Sequence, residues 1–422
     1  MEAIPPCRKR NSEASRMSRA SIIKLAVLTI LPLLLGLSSG DPSSLSYRLT
    51  VKSEPYVEPV TGWMFRNTIS KLTGSVAPAP AASPDEIRSF FALVAEELKA
   101  ENEAQNGSAS GPARTESPKP DLSALRARVA AETPRVERAL QQDVATQAAR
   151  DGLDHDIAGH QFLFPPVYFR FESLPDLLVV SPRDRIEREA TVLLLPDLTV
   201  PQMEQIEKRV SGPNISALVT SIGGLGVYPS MVPENSDPRW TIETVAHEWT
   251  HQFLALRPLG WQYALGGESD SRMITVNETA AEIVGHELGD QVYHELYPNA
   301  GPEQQAPTPQ QNTFTREMHR IRTRVDSLLA AGKVQEAESF MDASRQELAK
   351  EGFYIRKLNQ AYFAFYGSYA DNPSASGGVG QDISQRMHEL RADSSSLGDF
   401  LWKVSAAGDF QQFEQITQRL KQ

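Results

Sequence analysis

The chain has 422 residues, 40% of them apolar and 23% charged, the profile of a globular protein with a sizeable core. Residues 1–40 hold six of the 42 basic residues and two of the 53 acidic ones, which leaves 36 against 51 and a balance of −15 over residues 41–422. A body that acidic is repelled by nucleic acid and by anionic lipid, so neither is expected as its main partner.

The basic stretch up to Lys24 precedes an apolar run, Leu25–Leu37, and then the small residues Ser38, Ser39 and Gly40. This is the layout of a secretory signal, and the run is short for a membrane span. The long basic flank leaves an uncleaved N-terminal anchor open as the alternative. Both readings put the body outside the cytoplasmic membrane, with any membrane contact through this segment alone. The one cysteine, Cys7, falls inside it, so a metal site in the body has to use His, Asp or Glu.

Residues 41–120 read as a stalk: a Pro-, Ser- and Ala-rich extended part ending at "APAPAASP", one amphipathic helix, and a flexible linker over 105–120. The helix is marked by Ile87, Phe90, Phe91, Val94 and Leu98 on one face. Residues 121–300 form the expected core. A helix over 121–150 is followed by the short β-rich runs "VYFRFE", "DLLVVSP", "ATVLLLP" and "ALVTSIGGLGVYPSMV", with a short helix near "PQMEQIEKRV". Helices then dominate, expected at 238–256, 276–296, 313–331, 333–350, 352–369, 381–391 and 396–420. Strands followed by helices predict an α+β fold with a small, mostly antiparallel sheet. Residues 301–422 are expected as a helical part that closes the site.

The chemistry concentrates in "TVAHEWTHQF". Asp237-Pro238 starts a helix as cap and first turn, and Arg257-Pro258 ends it. Ile242, Val245, Trp249, Phe253 and Leu256 make its packing stripe. His247 and His251 project from another face, one turn apart, where two imidazoles can share one metal ion. Glu248 is too close along the backbone for a third ligand and well placed to take a proton from water. Two exposed histidines on a solvated face remain the plain alternative.

Asn277-Glu278, with Glu282 one turn later, begins a second helical stretch. With His247, Glu248 and His251, this pattern resembles the gluzincins, the thermolysin-like clan of zinc metallopeptidases. The resemblance covers residues 225–290. It implies a zincin-like helical half, Zn2+ as cofactor, His247, His251 and Glu278 as ligands, Glu248 as general base and Glu282 as a supporting acid. The 26-residue separation of His251 from Glu278 is long for the clan, and "RPLGWQYALGGESDSR" is expected as a loop or flap. Thr275 and Glu278 also fit a capping box, which would make the glutamate a helix cap. His286, Glu287 and His294 read as solvated or supportive.

The clan further implies a cleft-bordering strand before the motif helix, here residues 223–232. Gly223, Gly224 and Gly226 would allow close approach, and an ordinary glycine hairpin is the equal alternative. Of the later aromatics, Tyr362, Tyr366 and Tyr369 are candidate walls of the site or simply core residues. The expected activity is zinc-dependent hydrolysis of peptides or proteins outside the cytoplasm. Hydrolysis of a non-peptide substrate, an inactive metal-binding module and a metal-free structural protein stay open as alternatives.

Overall fold

The structure, a computed structural model, describes residues 44–74, 80–106, 121–157, 160–264, 270–301, 309–368 and 379–418. The expected targeting segment, most of the 105–120 linker and Tyr369 lie outside the described residues. Among those residues no helix is long and apolar enough to cross a membrane.

The segment expected as an extended stalk instead holds two helices, α1 (Leu45–Ser53) and α2 (Val60–Gly74). Ser44 caps α1 by accepting from the Tyr47 N–H at 3.2 Å. Composition misled here because Leu49 joins the apolar cluster behind the sheet, and Val60 and Met64 are buried as well. Helices α3 (Pro84–Asn106) and α4 (Leu122–Arg150) follow as expected. A hairpin unmarked in the sequence, β1 (His155–Ile157) with β2 (His160–Phe162), comes next.

Then come β3 (Phe169–Phe171), β4 (Asp176–Pro182), β5 (Ala190–Leu194), helix α5 (Val200–Val210), β6 (Ile215–Thr220) and β7 (Ser230–Val232). Strands β5, β4 and β6 form an antiparallel sheet with β4 in the middle, so that Leu178 faces both Val192 and Val219. Strand β4 is buried along its whole length, which explains its unbroken apolar run. Leu178 and Val180 pack towards α1 and α5, while Leu177 and Val179 pack against α11 (Gln360–Tyr366). Strands β3 and β7 make a separate parallel pair. The fold is α+β, with a small antiparallel sheet, a parallel pair and a helical majority.

The motif helix α6 (Pro238–Ala255) is capped by Asp237, which accepts from the Arg239 and Trp240 N–H groups. Ile242, Val245, Trp249 and Phe253 are buried as expected from their stripe. They belong to one large core shared with α3, α4 and helix α8 (Ser271–Leu296). Between α6 and α8 the expected loop contains a short helix, α7 (Pro258–Ala264). Residues 265–269 lie outside the described residues.

Helix α8 begins five residues before the expected start at 276, because Asp270 caps it by accepting from the Arg272 N–H. The capping-box reading of Thr275 and Glu278 therefore falls. Thr275 Oγ1 donates back to the Ser271 carbonyl, and Glu278 sits inside the helix.

Helices α9 (Pro309–Ala330) and α10 (Val334–Lys350) form a hairpin with its own apolar cluster. Gly332, at φ +72°, makes the left-handed turn between them. The expected helix over 352–369 shrinks to α11, whose cap Asn359 accepts from the Tyr362 N–H. After α12 (Val379–Ala392), the expected helix over 396–420 is two, α13 (Leu397–Ser405) and α14 (Phe410–Gln418). Asp409 accepts from the Gln412 N–H at 2.8 Å and so restarts the second one.

Candidate metal centre

Helices α6 and α8 lie against each other closely enough for the side chains of one to reach those of the other. Two glycines on α8 make this possible. A Cβ at Gly285 would come within 2.9 Å of His247 Cβ, and one at Gly289 within 2.6 Å of Glu243 Cα. The four-residue spacing of these glycines keeps them on one face of α8.

Across this contact, His247, His251 and Glu278 converge, with ligand atoms all within 4.8 Å of one another. The two Nε2 atoms are 3.1 Å apart. Oε2 of Glu278 lies 3.3 Å from His251 Nε2 and 3.9 Å from His247 Nε2. The far side of each ring is fixed. His251 Nδ1 faces Asn277 Oδ1 at 2.9 Å, and His247 is hydrogen-bonded to the Ala281 backbone. Rings that donate from Nδ1 turn their Nε2 lone pairs inward. Two lone pairs and a carboxylate oxygen then face one another, and only a cation reconciles them. The donor set therefore fits a metal ion.

The charges agree with that geometry. Burial, with His251 adding to it, pushes His247 down to about 3. Burial works against protonation of His251 too, but Glu278 and Asn277 outweigh it and raise the ring to about 9. Burial also works against ionisation of Glu278, yet His251 and Arg188 hold it below the ordinary carboxylate range. A cation held between these three groups would take the place of a proton on His251.

Glu248 is buried on the same helix, and burial raises it to about 7. The glycine segment expected to border the cleft rests on this carboxylate. A Cβ at Gly224 would come within 2.2 Å of Glu248 Oε1, and one at Gly226 within 2.9 Å of His251 Cβ. Leu225 and Met231 exchange backbone hydrogen bonds at 3.0 and 3.1 Å, so residues 225–231 close on themselves as a hairpin. The close approach that the glycines permit is thus to the site's own side chains.

The supporting residues fall where their chemistry allows. His286 pairs with Glu243 at 3.3 Å, Glu287 with Arg391 at 2.8 Å and His294 with Asp290 at 3.3 Å, all outside the triad. Glu282 follows Glu278 by one turn of α8, and Asn277 and Ala281 each make a contact on one of the two imidazoles.

Tyr362 and Tyr366 line a cleft of about 830 Å³ along β6, whose lining does not include the triad. Tyr366 Oη sits 2.9 Å from Thr220 Oγ1, four residues before Gly224. A second cavity of about 320 Å³ lies between Arg188, Thr275, Arg322, Phe363 and Ala364, one turn from Glu278.

Sequence reasoning missed Gly285, Gly289 and Arg188. The glycines carried a legible signal in their spacing. No family model, curated protein or solved structure matches the chain.

Proposed function

We propose that the chain is a zinc metallopeptidase of gluzincin type, hydrolysing peptide bonds outside the cytoplasm. The observation that carries this reading is the placement of Glu248. It is a buried carboxylate poised near neutral pH on the same helix as two imidazoles that converge with Glu278. Two nitrogens and one carboxylate oxygen, with no cysteine in the body, suit zinc and leave room for a fourth partner. Zinc held there supplies Lewis acidity, which polarises a carbonyl and makes water acidic near pH ~7.

The chain's own residues do the rest. Asn277 and the Ala281 backbone keep the two imidazoles turned inward. Glu248 takes a proton from the attacking water, whose oxygen adds to the carbonyl carbon. Glu248 then passes that proton to the departing amine nitrogen as the C–N bond breaks. A base near pH 7 does both at little cost, because it binds and releases the proton almost equally. The segment carrying Gly224 and Gly226 lies against Glu248 and limits its access to bulk water.

The test pairs metal analysis with a proteolysis assay on casein and short peptides. The purified chain should hold about one zinc per molecule, and His247→Ala should lose it. A chain that binds no zinc, or one that cleaves equally well without it, refutes the reading.

A further inference from the structure

We propose that Arg188 is a positioning residue of the metal centre, holding one oxygen of Glu278 so that only the other reaches the ion. The inference rests on the metal reading above and deepens it.

The two carboxylate oxygens of Glu278 face different partners. Oε1 lies 3.7 Å from the Arg188 guanidinium. Oε2 lies 3.3 and 3.9 Å from the imidazole nitrogens of His251 and His247. Both side chains are enclosed, 10% and 3% exposed, so the pair is not a solvent-screened surface contact.

Arg188 arrives from the loop that joins β4 to β5, some 90 residues upstream of Glu278. That loop is tied down along its length. The buried Ser181 hydroxyl accepts from the Glu187 N–H at 3.2 Å, next to Arg188. The Glu189 N–H donates to the Val180 carbonyl at 3.0 Å. At the other end Arg183 pairs with Glu338 of α10, and Gln360 of α11 donates to the Arg183 carbonyl at 2.7 Å. A loop braced from the sheet and from two helices delivers its guanidinium to a fixed place.

The consequence is chemical. A carboxylate free to rotate can ligate through both oxygens and fill a position that water and substrate need. With Oε1 engaged by Arg188, Glu278 ligates through Oε2 alone, and the site keeps its opening.

The experiment uses the full chain as wild type, Arg188→Met, Arg188→Gln and Arg188→Lys. Zinc affinity is read by competition with a chelator, and the ligand shell by X-ray absorption at the zinc edge. Arg188→Met should weaken zinc binding by about 10- to 100-fold and add an oxygen neighbour to the metal. Arg188→Lys should recover part of that loss. If Arg188→Met fails to fold by circular dichroism, Arg188→Gln gives the same comparison. A folded neutral variant with wild-type affinity and an unchanged ligand shell overturns the proposal while leaving the metal centre intact. A wild-type chain that takes up no zinc, like His247→Ala, overturns the metal reading itself and the role of Arg188 with it.

Discussion

Glu207 and Glu248 are both helical glutamates, 3% and 6% exposed, yet the protein treats them in opposite ways. Glu207, on α5 behind the sheet, accepts from the Val219 N–H at 2.8 Å and pairs with Arg356 and Lys357. Burial pushes its pKa up, but those partners outweigh burial and hold it below the ordinary range. Glu248 is pushed by burial up to about 7, with Glu278 adding to the push and His251 opposing it. The first carboxylate seals the outer edge of β6, where Arg356 also donates to the Val219 carbonyl at 2.6 Å. The second lies beside a group of converging acceptors and is raised towards neutral pH. Burial of a charge is therefore not itself a mark of chemistry. The mark is a buried acid whose compensation falls short of its burial, next to a place that suits a cation.

Exchanging each acid for its amide sharpens this contrast, and the largest effect is expected at Glu248. Glu248→Gln should lower the rate of peptide hydrolysis by about 10²- to 10⁴-fold while zinc content stays that of wild type. It should melt no lower than wild type, since a carboxyl raised by burial costs stability as pH rises towards 7 and the amide carries no such cost. Glu207→Gln should do the reverse. It leaves Arg356 and Lys357 facing a neutral group in a partly buried site, at a cost of about 2–3 kcal/mol in denaturant unfolding. Zinc affinity and turnover of the folded fraction should not move. If Glu207→Gln abolishes zinc binding, or Glu248→Gln cleaves like wild type, the division between the two acids fails.

A smaller effect tests how the helix pair holds the centre together. Gly289→Ala sets a methyl group against the Glu243 backbone, which can yield only by moving α6 away from α8. The expected cost is about 1–3 kcal/mol, with weaker zinc binding because Glu278 retreats from the imidazoles. Gly212→Ala meets nothing within 4 Å and serves as the control.

The residues around the helix pair were not equally legible in the sequence. His247, Glu248 and His251 were legible because one helical turn fixes their relation locally, and the Asn277-Glu278 pair suggested the third ligand. The sheet strands were legible as apolar runs, since β4 is covered on both faces. Arg188 was not legible. In "SPRDRIERE" it is one charge among several, and nothing local says which of them the loop turns inward. Helices α1 and α2 were missed because Pro and Ser content spoke for an extended chain, while the partners of Leu49 and Thr68 lie far along the sequence. The helix expected over 396–420 overran a break at Gly408 and Asp409, where the Asp409 cap outweighs continuous apolar periodicity.

The smallest expected effect separates a raised carboxyl from a reactive one. Asp143, on α4, is pushed up to about 6 by burial, with the Glu295 charge adding to it. The folded chain thus holds this proton more tightly than the unfolded chain, whose aspartate titrates near 3.8. The penalty for ionising Asp143 is absent below about pH 4 and complete above about pH 6, so stability falls as pH rises through that window. Asp143→Asn removes the ionisation and should raise the melting temperature at pH 7 by about 2 °C or more. The gain should shrink towards zero as pH is lowered to 4, and hydrolysis should be unchanged throughout. A gain independent of pH would mean that packing, not charge, sets the cost at this position. A loss of activity would mean that Asp143 belongs with Glu248 and that a raised carboxyl on α4 also takes part in the chemistry.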